Sequence, residues 1–561
     1  MIRAIRVDDF TGGLNLEANI FQLAKNESGD LLNVDINPKG GVSMRNAFVQ
    51  FHSSAVGGLA AGAFDPQRLF GWQGSSRQLL LAANNKVFYA TTGNFSPIQI
   101  GGVDIATDNT YGAWFSSWTR SSDPVLYVSR GPGYATTKWT GTVATALTTS
   151  GPGKWQNDLT SPSGTHAPKG QYVATHAERL WVANVTEQST VPADATYPNR
   201  IRFSHPLFPE SWREDDYIDI PGGGPEIVGI VPFAGHLLVF KQRAVFAIYG
   251  YSEDTFQVVE LTRSVGAVNA NAIAFSDSAV YFFSGHDGVI EYDGRGFRNI
   301  FGKLRRLILD AEVNEEVLNK VSLGYSNRKV VLSLPIGVEG AVNTSLYDES
   351  TIDYDDVDYS YLGGTRTTKV SKAFVWDGAV GKDGAWTVWA TADGYGLVGA
   401  TDFTDDNGVR NHVFAHPYQP KVMRLDVYGQ YKDFLNGVYT AYSSYYVTPW
   451  EDAGNVSAYK FWRRPDVVLR QESSGTSVTV DVFHNWDQWN EAKSFTISQS
   501  GFDSGGSEWE SWNDPDWGAN LQRADSLGLA RAVQMRISGD GSNPWYLNSI
   551  GYKFNPRKIK V

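Results

Sequence analysis

Short apolar runs rich in β-branched and aromatic residues, broken by charged or glycine-bearing turns, recur along most of the chain. The clearest stretch spans Pro221–Phe297. It reads PGGGPEIVGIVPFAGHLLVFKQRAVFAIYG, then a polar link, then VGAVNANAIAFSDSAVYFFSGHDGVIEYDGRGF. Each half holds two such runs around a turn: Lys241-Gln242-Arg243 in the first, Gly285-His286-Asp287-Gly288 in the second. This pattern predicts β-hairpins. The halves also resemble each other, since His236–Gly250 and Val280–Gly294 have the same length and end alike. Further copies occur at Leu79–Gly93 (LLLAANNKVFYATTG) and, more loosely, at Leu126–Gly141. Glu178–Val185 with Asn199–Pro206 supplies another, interrupted by an insertion. A β repeat of roughly 40–50 residues predicts propeller blades, each a small sheet that buries its faces only by stacking on neighbours.

The expected fold class is therefore all-β, with three parts. Residues 1–50 form an N-terminal arm carrying FTGGLN (Phe10–Asn15), turn glycines and a short alternating strand, NVDI. The arm has few apolar residues of its own, so it is expected to lend a strand to the propeller or to reach a neighbouring subunit. Residues 51–425 form the β-propeller with insertions. The link Thr148–Lys169 and the stretch Thr186–Asn199 read as exposed loops. In Lys303–Lys320, Leu304, Leu307, Ile308 and Ala311 fall on one helical face. This predicts one inserted amphipathic helix, packed against a blade or a neighbouring subunit. Strands resume at Arg328–Pro335, Lys372–Gly378 and Ala385–Ala390, and Gly394–Thr401 opens a unit ending near Gln419. Residues 426–561 show longer alternating strands: Val478, Val480 and Val482 share one face, as do Val533, Met535 and Ile537. This predicts a separate antiparallel β-sandwich.

Composition sharpens this picture. With 18 Trp, 27 Tyr and 57 Gly, and 19% charged residues, the chain favours sheets, tight turns and broad contacts over disorder. A net charge of −12 argues against a basic surface that wraps nucleic acid. It is compatible with a conduit past which DNA slides. No cysteine is present, so disulfides, thiol nucleophiles and thiolate metal sites are excluded. That absence suits synthesis in a cytosol. The first residues lack the apolar run of a secretory signal, and no run of about 18 apolar residues predicts a spanning helix.

Candidate chemistry is sparse. HExxH, H-x-H clusters and GxSxG are absent, and PGGGP (Pro221–Pro225) lacks the Lys-Ser/Thr of a phosphate loop. His286-Asp287 reads as a solvated turn. The acidic DYDDVDY (Asp353–Tyr359) has oxygen ligands for calcium but not the turn glycine of a calcium loop, and reads as a solvated insertion tip. No metal or cofactor is expected. A propeller sialidase would carry repeated Ser-x-Asp-x-Gly-x-x-Trp boxes. The nearest string here, GKDGAWTVW (Gly381–Trp389), has Trp386 too close to Gly384 and does not repeat. A glycosidase built on paired carboxylates stays open at this point, because such pairs meet only in the fold. The remaining candidates are aromatic loop contacts: Trp509, Trp512 and Trp517 in SEWESWNDPDW, with Tyr354 and Tyr359 in the acidic insert.

FTGGLN with LLNVDINPKGG, the paired units IVGIVPFAGHLLVFKQRAVFAIYG and SVGAVNANAIAFSDSAVYFFSGHDGVIEYDG, and YKFWRRPDVVL, VTVDVF and the closing PWYLNSIGYKF occur in that order. Together they resemble the tail nozzle (tail tubular) proteins of tailed bacteriophages and related tail-tip proteins. These segments cover about a third of the chain but span both ends. The resemblance implies a virion structural protein made in the host cytoplasm. It implies a homo-oligomeric ring, usually six-fold, joined to other tail proteins (adaptor, fibres, tip) and passing DNA, with no catalytic residues. The alternative is a receptor-binding tail-tip protein whose tryptophan-rich loops stack on host-surface glycans. The Lys303–Lys320 helix and the acidic insert match nothing in that pattern.

Overall fold

The computed structural model describes residues 2–107 (except 20), 112–119, 124–147, 167–187, 195–309 (except 223 and 225), 313–336, 369–498 (except 464 and 471–476) and 526–556 (except 542). Six four-stranded antiparallel meanders follow one another, and a larger seventh sheet completes the ring. The second blade is typical: Trp114–Trp118, Val125–Ser129, Thr137–Trp139 and Ala144–Ala146 pair in order. The hairpins that recur in the sequence are the second and third strands of successive blades. In blade one they are Arg77–Ala83 and Lys86–Ala90, and in blade four His236–Lys241 and Val245–Tyr249. In blade five they are Val280–Ser284 and Gly288–Tyr292. These strands are apolar on both faces because each blade is covered on both sides. Leu79 to Ala83 and Leu237 to Phe240 are all fully buried. Each such aliphatic or aromatic side chain contributes roughly 1.5–3 kcal/mol on burial.

The seventh blade is built from two ends of the chain. Val398–Thr404, Arg410–Ala415 and Val422–Val427 are joined by Ala47–Gln50 from the arm, with Met423 opposite Gln50 and Arg424 opposite Val49. Asp433–Leu435 and Val438–Thr440 then extend this sheet outward. The arm thus lends the closing strand. The unit expected to end near Gln419 continues through Thr440, because Phe434 pairs with Val49.

The sandwich also draws on both ends. One sheet takes three strands from the arm: Arg3–Val7 and Val42–Met44 pair with Tyr546–Pro556, and Val34–Ile36 pairs with Val42–Met44. The other joins Leu31–Leu32 to Tyr445–Val447, Val533–Gly539, Ser477–His484 and Asp487–Ser498. Val480 lies opposite Ile537 and Val482 opposite Met535, and all four are fully buried, as the alternation predicts. Division into an arm (1–50) and a self-contained sandwich (426–561) therefore does not describe the topology. One hydrophobic core runs from Phe10, Leu14 and Leu31 through Trp386 and Phe301 to Trp462, Trp545 and Phe554. It fuses propeller and sandwich.

The inserted helix is shorter than Lys303–Lys320. A turn at Gly302–Leu304 leads into helical Arg306–Leu309, and a separate 3-10 segment spans Glu315–Lys320. Leu304 and Leu307 are buried and Arg305 and Arg306 exposed, so the amphipathic stripe is real. It cannot continue because Val313 bridges Ile336 in extended form. Asn314 then caps a new turn, its side chain accepting from the Glu316 N–H. The expected loop Thr186–Asn199 is also partly strand, since Thr186 pairs with Thr196 and Glu187 with Ala195.

Candidate functional site

The innermost strands of the seven blades enclose an axial channel of about 440 Å³. Gly399 borders the backbone of Arg68 and Leu69, and Gly71 borders Asp402 and Phe403, so neighbouring inner strands run side by side in the same direction. Arg68 and Asp402 consequently lie towards opposite ends of the channel. Among the described lining residues they are the only charged ones.

Asp402 is tied into the wall. His412 Nδ1 lies 2.6 Å from its Oδ1, Ser326 Oγ donates to the same oxygen at 2.6 Å, and Arg410 pairs with Oδ2. Burial opposes its charge, but these hydrogen bonds outweigh burial and hold the carboxyl well below the usual range. Ser, His and Asp are together here, yet not as a nucleophilic relay. Such a relay needs one imidazole nitrogen on the carboxylate and the other on the hydroxyl. Here Ser326 Oγ contacts the Nδ1 that already faces Asp402, at 3.4 Å, and Ser326 is fully buried. The cluster locks blade six to blade seven. Asp402 is the one carboxylate of the described channel lining.

A second concavity lies where the arm meets the sandwich. Cavities of about 290 and 420 Å³ share Phe21, Leu23 and Trp486 as a common ridge. Trp486 stands at the tip of the Ser477–Ser498 hairpin, in a two-residue turn with Asn485 at φ 56° and Trp486 at φ 68°. A bulky residue in the left-handed region is an outlier whose strain the surroundings must sustain. Its ring packs 5.5 Å from Phe21 and 6.3 Å from Trp450. Phe21 and Trp489 stay exposed, at 62% and 44%. Polar groups line the same walls: Lys25 paired with Glu451 at 3.0 Å on one side, Gln488 and Arg536 on the other.

The residues singled out from the sequence, Trp509, Trp512, Trp517, Tyr354 and Tyr359, lie outside the described residues, as does the acidic stretch 353–358. His286 and Asp287 are exposed in a hairpin turn. No cluster of metal-ligating side chains occurs among the described residues. Sequence reasoning missed Arg68, Asp402 and Trp486. Only for Trp486 was a local signal present, in the paired tryptophans of NWDQW.

No known family matches this sequence, and no curated protein matches it. Solved structures that it is similar to match at low identity and low TM-score. A BBS1N–ARL6DN complex soaked with lead is 9% identical over 69% of this chain and 99% of that one, with a TM-score of 0.37. The extracellular domain of a one component system from B. thetaiotaomicron is 9% identical over 76% of this chain and 44% of that one, with a TM-score of 0.35. An ancestral GH74 enzyme is 12% identical over 63% of this chain and 55% of that one, with a TM-score of 0.29.

Proposed function

We propose that this protein is a structural component of a bacteriophage tail, a ring-forming nozzle or hub subunit that conducts DNA and joins other tail proteins. The observation that carries the reading is the outer edge of blade seven. Val438–Thr440 is the last strand of that sheet and is exposed throughout. Val438 and Tyr439 are 59% and 60% exposed, and nearby Tyr428 is 92% exposed. An open strand edge beside bare aromatic side chains invites pairing unless a partner covers it. A neighbouring copy in a closed ring would do so. The order of sequence segments that resembles tail nozzle proteins and the net charge of −12 both favour a conduit. Negative-stain images of the purified protein test the reading. Closed rings are expected, with Tyr428→Glu/Tyr439→Glu giving folded monomers. A wild type that stays monomeric at micromolar concentration would overturn it.

A second reading is a receptor-binding tail-tip protein that recognises host-surface glycans. The half-buried Trp486 at the hairpin tip, with exposed Phe21 and Trp489 beside it, favours it, since flat aromatic faces flanked by amide and charged groups suit sugar rings. A glycan array distinguishes the two. Binding lost in Trp486→Ala, or in Trp512→Ala/Trp517→Ala, supports the reader, and a blank array leaves the conduit alone.

A further inference from the structure

Arg68 is the third residue of the inner strand of blade one, Pro66–Gln73, and lines the channel inside the ring. The head lies over the Trp114 ring at 3.5 Å. Nη2 donates to the Ala270 carbonyl at 2.7 Å and Nε to Asn271 Oδ1 at 3.4 Å. Nη1 donates to no group among the described residues. Every partner is neutral, and the single carboxylate of the described lining, Asp402, is already held by His412, Ser326 and Arg410. Burial pulls the guanidinium down to about 9, although Tyr172 opposes this. Arg68 is half-buried, and a cation partly withdrawn from water without a counter-charge is destabilised. The opposite arrangement is seen elsewhere in this protein, where buried Arg45 faces Asp433 through two parallel hydrogen bonds. The aromatic floor and the two side anchors fix the plane of Arg68 and leave its Nη1 edge towards the open channel. A planar, immobilised guanidinium is suited to an oxygen anion.

We propose that the Arg68 end of the axial channel is a binding site for a small oxyanion, a carboxylate or phosphate group carried by a low-molecular-weight ligand. The anion accepts from Nη1 and supplies the missing counter-charge. Ser116 and Thr175, whose hydroxyls meet at 2.9 Å further along the wall, offer polar contacts to the rest of such a ligand. The site is independent of the outer edge of blade seven, so it stands whether or not the protein forms rings.

The test uses the full chain and two probes, acetate and inorganic phosphate, against chloride at matched ionic strength. Thermal unfolding and calorimetric titration are read on wild type, Arg68→Gln and Arg68→Lys. Wild type is expected to bind one anion per chain and to melt higher with one probe than with chloride. Whichever probe acts identifies the group as carboxylate or phosphate. Arg68→Gln should bind at least about tenfold more weakly. In chloride it should melt no lower than wild type, because it removes an uncompensated charge. Arg68→Lys, which keeps the charge without the planar fork, should fall between them. An equal response in wild type and Arg68→Gln, or none from either probe, overturns the proposal.

Discussion

Arg45 of the arm and Asp433 of blade seven form a two-fold hydrogen-bonded ion pair, Nη1–Oδ1 and Nη2–Oδ2 both 2.9 Å, at 1% and 3% exposure. The guanidinium is sandwiched between Phe48 and Tyr442, each ring centre 3.7 Å away, and also reaches Asn33 Oδ1 and the Ala390 carbonyl. The carboxylate accepts in addition from the Phe48 and Ala392 N–H groups. Burial works against the Arg45 charge, but Asp433 outweighs it and raises the group above its ordinary value. One contact thus ties together the arm, blade six, blade seven and the first residues of the sandwich.

Arg45→Met should destabilise the protein by about 3–5 kcal/mol, because it strands the Asp433 charge in the interior. Asp433→Asn should cost less, since an amide oxygen still serves part of the site. The double variant should be milder than the sum of the two. Urea unfolding of the three variants measures this, and strict additivity would show that the pair is not coupled.

His52 makes ring closure acid-sensitive. Its Nε2 accepts from the Val422 N–H at 2.9 Å, so Nδ1, 2.6 Å from the Ser54 carbonyl, carries the proton. Burial pushes the imidazole down to about 4, although the Ser54 bond opposes this. The unfolded side chain titrates near 6.5. Between those values the unfolded chain takes up the proton first, so stability is full above about pH 6.5 and falls as pH drops towards 4. His176, also pulled down to about 4 by burial, adds to the same window. Unfolding free energy across this range should fall by roughly 2–3 kcal/mol per histidine. His52→Asn should show a shallower slope, and an unchanged slope would remove His52 from the account.

Asp402 acts in a lower window. Its folded carboxyl is held below the usual range, so its contribution is present above about pH 4 and is lost on further acidification. Asp402→Asn should lower stability at neutral pH by about 1–3 kcal/mol and flatten the acid limb. A variant as stable as wild type at pH 7 would contradict the locking role given to this cluster.

The closing glycines of the hairpin repeats look alike in sequence and differ in constraint. Gly250 has φ 107°, and a Cβ there would sit 2.4 Å from the Thr255 carbonyl oxygen. Gly93 has neither a positive φ nor a neighbour within 4 Å. Gly250→Ala should cost about 2 kcal/mol or more, and Gly93→Ala should stay within about 0.5 kcal/mol. Thermal melts of the two variants make the comparison.

The blade hairpins were legible because burial on both faces leaves near-continuous apolar runs such as LLLAA and HLLVF, set off by turns. Of the arm strands, the alternation of NVDI showed Val34–Ile36, but others were not legible. Arg3–Val7 is largely exposed and carries two arginines, Leu31–Leu32 is too short to show alternation, and each is held by backbone pairing to residues hundreds of positions away. The helical stripe of Leu304 and Leu307 was visible, but not its interruption, which the bridge from Val313 to Ile336 imposes. Arg68 sits among the alternating residues PQRLFGWQ, where a lone arginine reads as a solvent-facing charge. Only the closing of seven strands around it turns it inward.

Because Ala47–Gln50 completes a blade whose other strands come from Val398 onward, this segment must wait for several hundred more residues to be made before it finds its place. Until then the six earlier blades form an open arc with two raw ends. Native contacts so distant in sequence predict slow maturation and a late, cooperative final step. Such a nascent arc has reason to associate with chaperones, or to capture the arm of another copy in a domain swap.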